Sequence, residues 1–276
     1  MLGALYGDIA GSRFELGQRE VDDDFVLFLP GSNFTDDSLM TLAVAETLVI
    51  TRNDRSNYKK VLIKKMKEIA HKYPNVSWGQ RFYNWLFVQK YPVPFNSYGN
   101  GAAMRISPVG WVCDTLEETI ELSRLTTEIS HNHPEGIKGA ESVAVAIFMA
   151  RTGHTKEQIK EKMIEYYPEL KTMTLDGIKK SGYGLDELGN WVTCQGSVPQ
   201  SICAFLESEN FEDAVRKAIS FGADTDTQGC ITGSIAEAFY GLSYEIEEQI
   251  LEYFPNDLKS TYFAFDLIKK KRIKNL

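Results

Sequence analysis

Residues 221–230 read FGADTDTQGC, with Asp224 and Asp226 alternating with Thr225 and Thr227, and they run directly into the small, apolar stretch ITGSIAEAFYG. Asp and Thr are favoured at helix N-termini, where their side-chain oxygens accept backbone N–H groups. One capping residue satisfies that role, and two aspartates one residue apart exceed it. Asp224 and Asp226 can instead converge on one hard cation, with the Thr227 hydroxyl as a third oxygen. A second cluster, Thr35, Asp36 and Asp37, opens the apolar run SLMTLAVAETL. Taken alone, it too is ordinary helix-start chemistry. Taken together, the two clusters bring four carboxylates close to one another if their helices pack side by side. Such repulsion, worsened by burial, is relieved by a divalent metal. Oxygen donors with no nearby His or Cys ligand motif point to Mg²⁺, with Mn²⁺ or Ca²⁺ as alternatives.

Three further stretches carry candidate chemistry. Near the start, GALYGDIAGSRFE spaces Gly3, Gly7 and Gly11 four apart, a helical stripe where another backbone can approach closely. Asp8, beside that stripe, reads as a buried structural carboxylate held by backbone donors. Glu15 lies just beyond it, and physics alone leaves it an ordinary glutamate. The loop NSYGNGAAMRISPVG (96–110) carries Gly99, Asn100 and Gly101; its backbone N–H groups suit a phosphate, and a plain tight turn suits the residues equally. SHNHPEG (130–136) holds His131 and His133, two of the four histidines. They lack partners for a metal site, so His131 either meets a ligand by stacking or hydrogen bonding, or is a satisfied loop histidine.

The elements that must position these residues are helical almost throughout. Apolar residues recur at helical spacing over 37–50, 58–73, 137–153, 155–170, 211–221 and 243–254,. The stretch 115–130 opens with the capping box Thr115 and Glu118,. The one β-like piece, 24–31, is too short to found a sheet, and 91–101, 131–136 and 181–200 read as connectors rich in glycine and proline,. With 276 residues, 43% of them hydrophobic, and no repeat or low-complexity linker, one all-α domain over 1–276 is the economical expectation,. A net charge of −8 argues against a nucleic-acid or membrane-surface binder,. Cys113, Cys194, Cys203 and Cys230 form no CxxC pair and read as isolated thiols of a reducing compartment,. Without a basic leader or a spanning apolar run, the expectation is a soluble cytoplasmic monomer.

In this order, GDIAGSRFE, TDDSLM, SYGNGAAMRISPVG, SHNHPEG and GADTDTQGCITGSIAEAFYG resemble the ADP-ribosylglycohydrolase family, over residues 7 to about 241. The elements are specific as a set and not singly. The resemblance implies a compact all-α fold, an orthogonal helical bundle, and two Mg²⁺ ions (Mn²⁺ as alternative) held by Thr35, Asp36, Asp37, Asp224, Asp226 and Thr227. It implies Glu15 beside the metals and the substrate ribose, with Asp36 and Asp37 as further catalytic candidates. It places Ser97, Tyr98, Gly99, Asn100 and Gly101 around the ADP-ribose phosphates and distal ribose, and His131 at the ligand. The implied activity is removal of ADP-ribose from a modified protein side chain, arginine or serine, or from a small conjugate. The competing expectations are a non-catalytic relative that keeps the fold as a structural or ADP-ribose-binding protein, and an unrelated magnesium-dependent phosphohydrolase. The chain departs from the family pattern at Ala223, where a second glycine is common, and at Gln228 and Gly229, where Asn-Ala is common. These departures spare the metal ligands and are expected to line the site.

Overall fold

The computed structural model describes residues 1–15, 21, 25–181, 183 and 190–273. Part of the predicted 181–200 connector and Asp24 of the β-like piece lie outside the described residues. The first half of the chain forms α1 (Leu2–Gly11), α2 (Asp36–Ile50), α3 (Tyr58–Lys72), α4 (Gln80–Tyr83), α5 (Gly101–Met104), α6 (Ser107–Val112) and α7 (Leu116–Thr127). The second half forms α8 (Pro134–Arg151), α9 (Lys156–Tyr166), α10 (Leu175–Lys180), α11 (Cys194–Leu206), α12 (Phe211–Ile219), α13 (Thr225–Tyr240), α14 (Tyr244–Leu251) and α15 (Asn256–Ile273). The all-α expectation holds: among the described residues β pairing is limited to one antiparallel bridge, Gly99 with Thr193. No helix among the described residues is long and apolar enough to cross a membrane.

The axis of the fold is the antiparallel pair α1 and α13. Gly3 faces Gly233, Gly7 faces Gly229 and Gly11 faces Thr225. A Cβ built on Gly7 would lie 1.9 Å from the Gly229 carbonyl oxygen, so neither helix tolerates a side chain at the crossing. This is the close backbone approach that the four-residue glycine spacing predicts. Every residue of α1 is buried, and α13 is buried from Thr225 to Glu237. Around the pair, α2, α8, α11 and α12 pack against α13, and one continuous hydrophobic cluster runs through them all.

Two long helices, α11 and α15, escape the sequence reading, as do the short α4, α5, α6 and α10. The segment 194–200 is the first half of α11, not connector. Gly196 and Pro199 argue against a helix locally. Burial of Val198, Ile202 and Phe205 outweighs that local cost,. The terminal helix α15 has a weak apolar stripe, and Leu258, Tyr262 and Phe265 bury into the core. The described part of the β-like piece, 25–31, is irregular. The Thr115 cap forms, but the Glu118 carboxylate accepts from the Asp114 N–H and pairs with Arg55 instead of closing the box.

Candidate active site

The antiparallel crossing brings the C-terminus of α1 to the N-terminus of α13. Asp8 then ties in a third helix end. It is fully buried and accepts the backbone N–H groups of Thr35 and Ser38, each at 3.0 Å, and the Thr35 hydroxyl at 2.7 Å. These donors oppose the effect of burial, which raises its pKa. Asp8 is the structural carboxylate the sequence suggests: it anchors the head of α2 against α1. Thr225 completes the junction by donating to the Gly11 carbonyl at 2.8 Å.

Both acid clusters therefore stand at helix N-termini that face one another. Thr35 caps α2 by accepting the Asp37 N–H at 3.3 Å. Asp224 is the N-terminal flanking residue of α13, yet its side chain makes no capping bond and accepts from the Asn100 amide instead. Capping thus explains Thr35 and does not explain Asp224. One carboxylate oxygen from each of Glu15, Asp224 and Asp226 lies within 4.8 Å of the others. Thr227 donates to Asp37 Oδ2 at 3.4 Å, joining the two clusters. The other oxygen, Asp37 Oδ1, is buried with no hydrogen-bond partner.

The electrostatics of this group are unbalanced. Burial, followed by the charges of neighbouring carboxylates, pushes the pKa values of Asp36, Asp37 and Asp226 well above the usual range. Asp224 is raised by burial, against the opposing effect of its bond from Asn100. Glu15, half-buried just past α1, is raised to about 7 by burial and then by Asp224 and Asp8. The positive ends of two helix dipoles offset only part of this repulsion. Arg81 is the one lysine or arginine among the described residues lining the cavity, and its guanidinium is turned onto Phe95, donating to that residue's carbonyl. An all-oxygen donor set, an orphaned buried carboxylate oxygen and a cluster uncompensated among the described residues together fit a divalent cation,.

The acids line one part of a cavity of about 460 Å³. Ser97, Gly99, Asn100, Gly101 and His131 line it as well, joined by Trp78, Phe82, Phe95, Met104 and Val192. The 97–101 loop is fixed by its bridge to residue 193: Asn100 N–H donates to the Val192 carbonyl and Cys194 N–H to the Tyr98 carbonyl, both at 2.9 Å. Gly99 N–H is taken by Ser97 Oγ at 3.2 Å. Two of the loop's N–H groups are thus engaged within the protein. A Cβ on Gly101 would lie 3.3 Å from His131 Nε2, so close packing of histidine and loop explains that glycine.

Two predicted residues stand apart. Tyr98 is 45% exposed, its ring rests on His133 at 5.3 Å, and it does not line the cavity. Thr35 also lies outside the lining, engaged by Asp8. His133 caps α8 by accepting the Glu135 N–H, which resolves the second histidine of SHNHPEG as structural. The expectation that Ala223, Gln228 and Gly229 line the site is corrected: none of the three lines the cavity. Gln228 is buried, donating to the Tyr183 hydroxyl and the Gly222 carbonyl, while Gly229 is pressed against Gly7. Ala223 has φ +64°, a left-handed conformation that favours glycine, which explains why glycine suits that position,. The aromatic wall of Trp78, Phe82 and Phe95 was missed by sequence reasoning, because scattered aromatics in 76–95 have no spacing that distinguishes a cavity wall from core.

Comparison with known proteins agrees with this geometry. The ADP-ribosylglycohydrolase family profile matches residues 1–271. The chain is 26% identical to "ADP-ribosylhydrolase ARH3" of Gallus gallus, over 91% of this chain and 85% of that protein. It is 28% identical to the Homo sapiens protein of the same name, over 53% of this chain and 51% of that one. It is 25% identical to "ADP-ribosylarginine hydrolase Tri1" of Pseudomonas putida, over 88% of this chain and 70% of that protein. A solved structure titled "ADP-ribosylglycohydrolase-related protein complex" shares the fold with a TM-score of 0.66 at 21% identity, covering 99% of this chain and 93% of that one. The chain belongs to the ADP-ribosylglycohydrolase family.

Proposed function

We propose that residues 1–276 act as one magnesium-dependent hydrolase that removes ADP-ribose from modified protein side chains, with arginine as the first acceptor and serine as the second. The observation that carries this reading is the convergence of Glu15, Asp224 and Asp226 beside the orphaned Asp37 oxygen, at one part of a cavity with an aromatic wall. The Pseudomonas putida relative, named for ADP-ribosylarginine, supports the choice of arginine. Thr35, Asp36, Asp37, Asp224, Asp226 and Thr227 would hold two Mg²⁺ ions, with Mn²⁺ as the alternative. When bound, such ions supply charge neutralisation and orientation of oxygen ligands. The protein acts in the cytoplasm as a monomer, in keeping with its buried free thiols.

The chain's own groups have distinct work in this reaction. Cleavage at the anomeric carbon of the ribose proceeds with oxocarbenium character, which favours nearby carboxylates. Glu15, with a pKa of about 7 in the cation-free protein, can hold or accept a proton near neutrality, as a general acid–base must,. Asp36 and Asp37 are the other carboxylates within reach of that role. Asn100, tied to Asp224, couples the 97–101 loop to the acids, so a ligand lying along the loop is aligned with them. The aromatic wall provides an apolar surface for the base and excludes water. The test is ADP-ribose release from arginine-modified and serine-modified proteins, with Mg²⁺ or with chelator. Release from the arginine substrate only with Mg²⁺ is expected. Absence of release from both with Mg²⁺ present would overturn the proposal.

A further inference from the structure

Behind the cavity lies a buried chain of three polar side chains. Arg105 and Ser130 are fully buried, and His131 is 4% exposed. Arg105 Nη2 donates to Ser130 Oγ at 2.8 Å, and Ser130 Oγ lies 2.8 Å from His131 Nδ1. The imidazole is held between Phe82 and Phe95, with ring centroids 6.1 and 5.7 Å away. Its Nε2 faces the loop, near Gly99 and Gly101, where His131 lines the cavity.

We propose that Arg105 and Ser130 are positioning residues that lock His131 in the Nε2–H tautomer, making it a fixed hydrogen-bond donor into the cavity. The logic is one of donors and acceptors. A guanidinium can only donate, so Ser130 Oγ accepts from Arg105. The Ser130 hydroxyl carries one proton of its own, and its one other hydrogen-bond partner among the described residues is His131 Nδ1. If Nδ1 carried a proton, the Ser130 proton would be buried without an acceptor, which folded proteins avoid. Nδ1 therefore accepts, and the ring proton sits on Nε2. The doubly protonated form is disfavoured, because burial and then the charges of Arg105 and Arg81 push the His131 pKa well below its ordinary value. An Nε2–H suits an anionic oxygen, whereas an Nε2 lone pair would repel one. The ligand side of this inference, a phosphate oxygen of ADP-ribose at that N–H, rests on the proposed function; the tautomer does not.

The experiment is long-range ¹H–¹⁵N correlation NMR on histidine-labelled, ligand-free protein, with His131 assigned from the signals lost in His131→Asn. The expected pattern is a pyrrole-type shift at Nε2 and a pyridine-type shift at Nδ1; the reverse pattern overturns the proposal. Ser130→Ala should let the two tautomers average and weaken ADP-ribose binding about tenfold by calorimetry with Mg²⁺. Arg105→Met removes the donor that orients the Ser130 hydroxyl toward Nδ1, and should weaken the tautomer preference by less than Ser130→Ala does,. Unchanged tautomer and affinity in Ser130→Ala would also overturn the proposal. If wild type shows the Nε2–H pattern and Ser130→Ala loses it, yet wild type binds no ADP-ribose, the tautomer lock stands and the ADP-ribose reading falls.

Discussion

The two ends of the α1–α13 pair bury carboxylates in opposite ways. At one end Glu237 is 3% exposed, pairs with Lys269 at 2.5 Å and the N-terminal ammonium, and accepts the Gly3 N–H at 2.8 Å. Burial alone would raise its pKa, but Lys269 first and the N-terminal amine second reverse the effect and hold it at about 2, while burial pushes that amine itself down to about 5. At the other end Glu15, Asp224 and Asp226 meet without a cationic side chain among the described residues, and Glu15 rises to about 7. Asp224 and Asp226 are about as buried as Glu237, so partners make the difference. A buried carboxylate with its countercharge keeps its charge in the fold, and a cluster without one is a candidate cation site. Asp8 and Asp37 repeat the lesson a few ångströms apart: three donors satisfy the first, while the second keeps an orphaned oxygen.

The largest effect that can break this comparison is catalytic. Glu15→Gln should lower kcat for ADP-ribose release by roughly 10²-fold or more while changing ADP-ribose affinity only a few-fold. Single-turnover rates and calorimetry separate the two. Asp226→Asn should likewise remove most of the Mg²⁺-dependent rise in melting temperature, without lowering the melting temperature in chelator. Equal Mg²⁺ stabilisation of Asp226→Asn and wild type would reduce the acid cluster to helix capping.

The paired end should respond in stability alone. Lys269→Met leaves Glu237 with one fewer buried countercharge and should cost about 3 kcal/mol in chemical denaturation. The kcat of the folded fraction should stay at the wild-type value. Midway along the pair, Gly7→Ala should cost roughly 3 kcal/mol by forcing the crossing apart,. A kcat loss in Lys269→Met would show that the two ends are coupled.

A smaller effect sharpens the contrast through pH. The unpaired acids have folded-state pKa values above their unfolded values, with Glu15 at about 7. Between about pH 5 and 8 the cation-free folded state therefore holds more protons than the unfolded chain, and its stability falls as pH rises. Saturating Mg²⁺ should flatten or invert that slope, because cation binding replaces the protons. Denaturation curves across this range, in chelator and in Mg²⁺, provide the check. Glu237 has the opposite sign: its contribution is lost only as pH falls toward about 2. The smallest expected change is Ala223→Gly, which removes a left-handed alanine and should stabilise the fold by up to about 1 kcal/mol,.

Much of this was legible locally. The heads of α2 and α13 announce themselves because Thr and Asp, residues favoured at helix starts, lead directly into apolar runs,, and the Gly3, Gly7 and Gly11 spacing states that a backbone lies close by. Those signals need no knowledge of the rest of the chain, and they suffice for an all-α fold with acids at two helix ends. Which backbone fills the glycine stripe, and hence that Glu15 reaches Asp224 and Asp226 across more than 200 residues of sequence, was decided by packing. So were the roles within each motif. Asp8 and Asp37 differ by partner, as do His131 and His133, and Gln228 faces Tyr183 and not the cavity. A residue type and its neighbours in sequence specify what a side chain can bond. Only the tertiary structure specifies which of those bonds are already made, because the donors that satisfy a buried group arrive from distant segments and water no longer does.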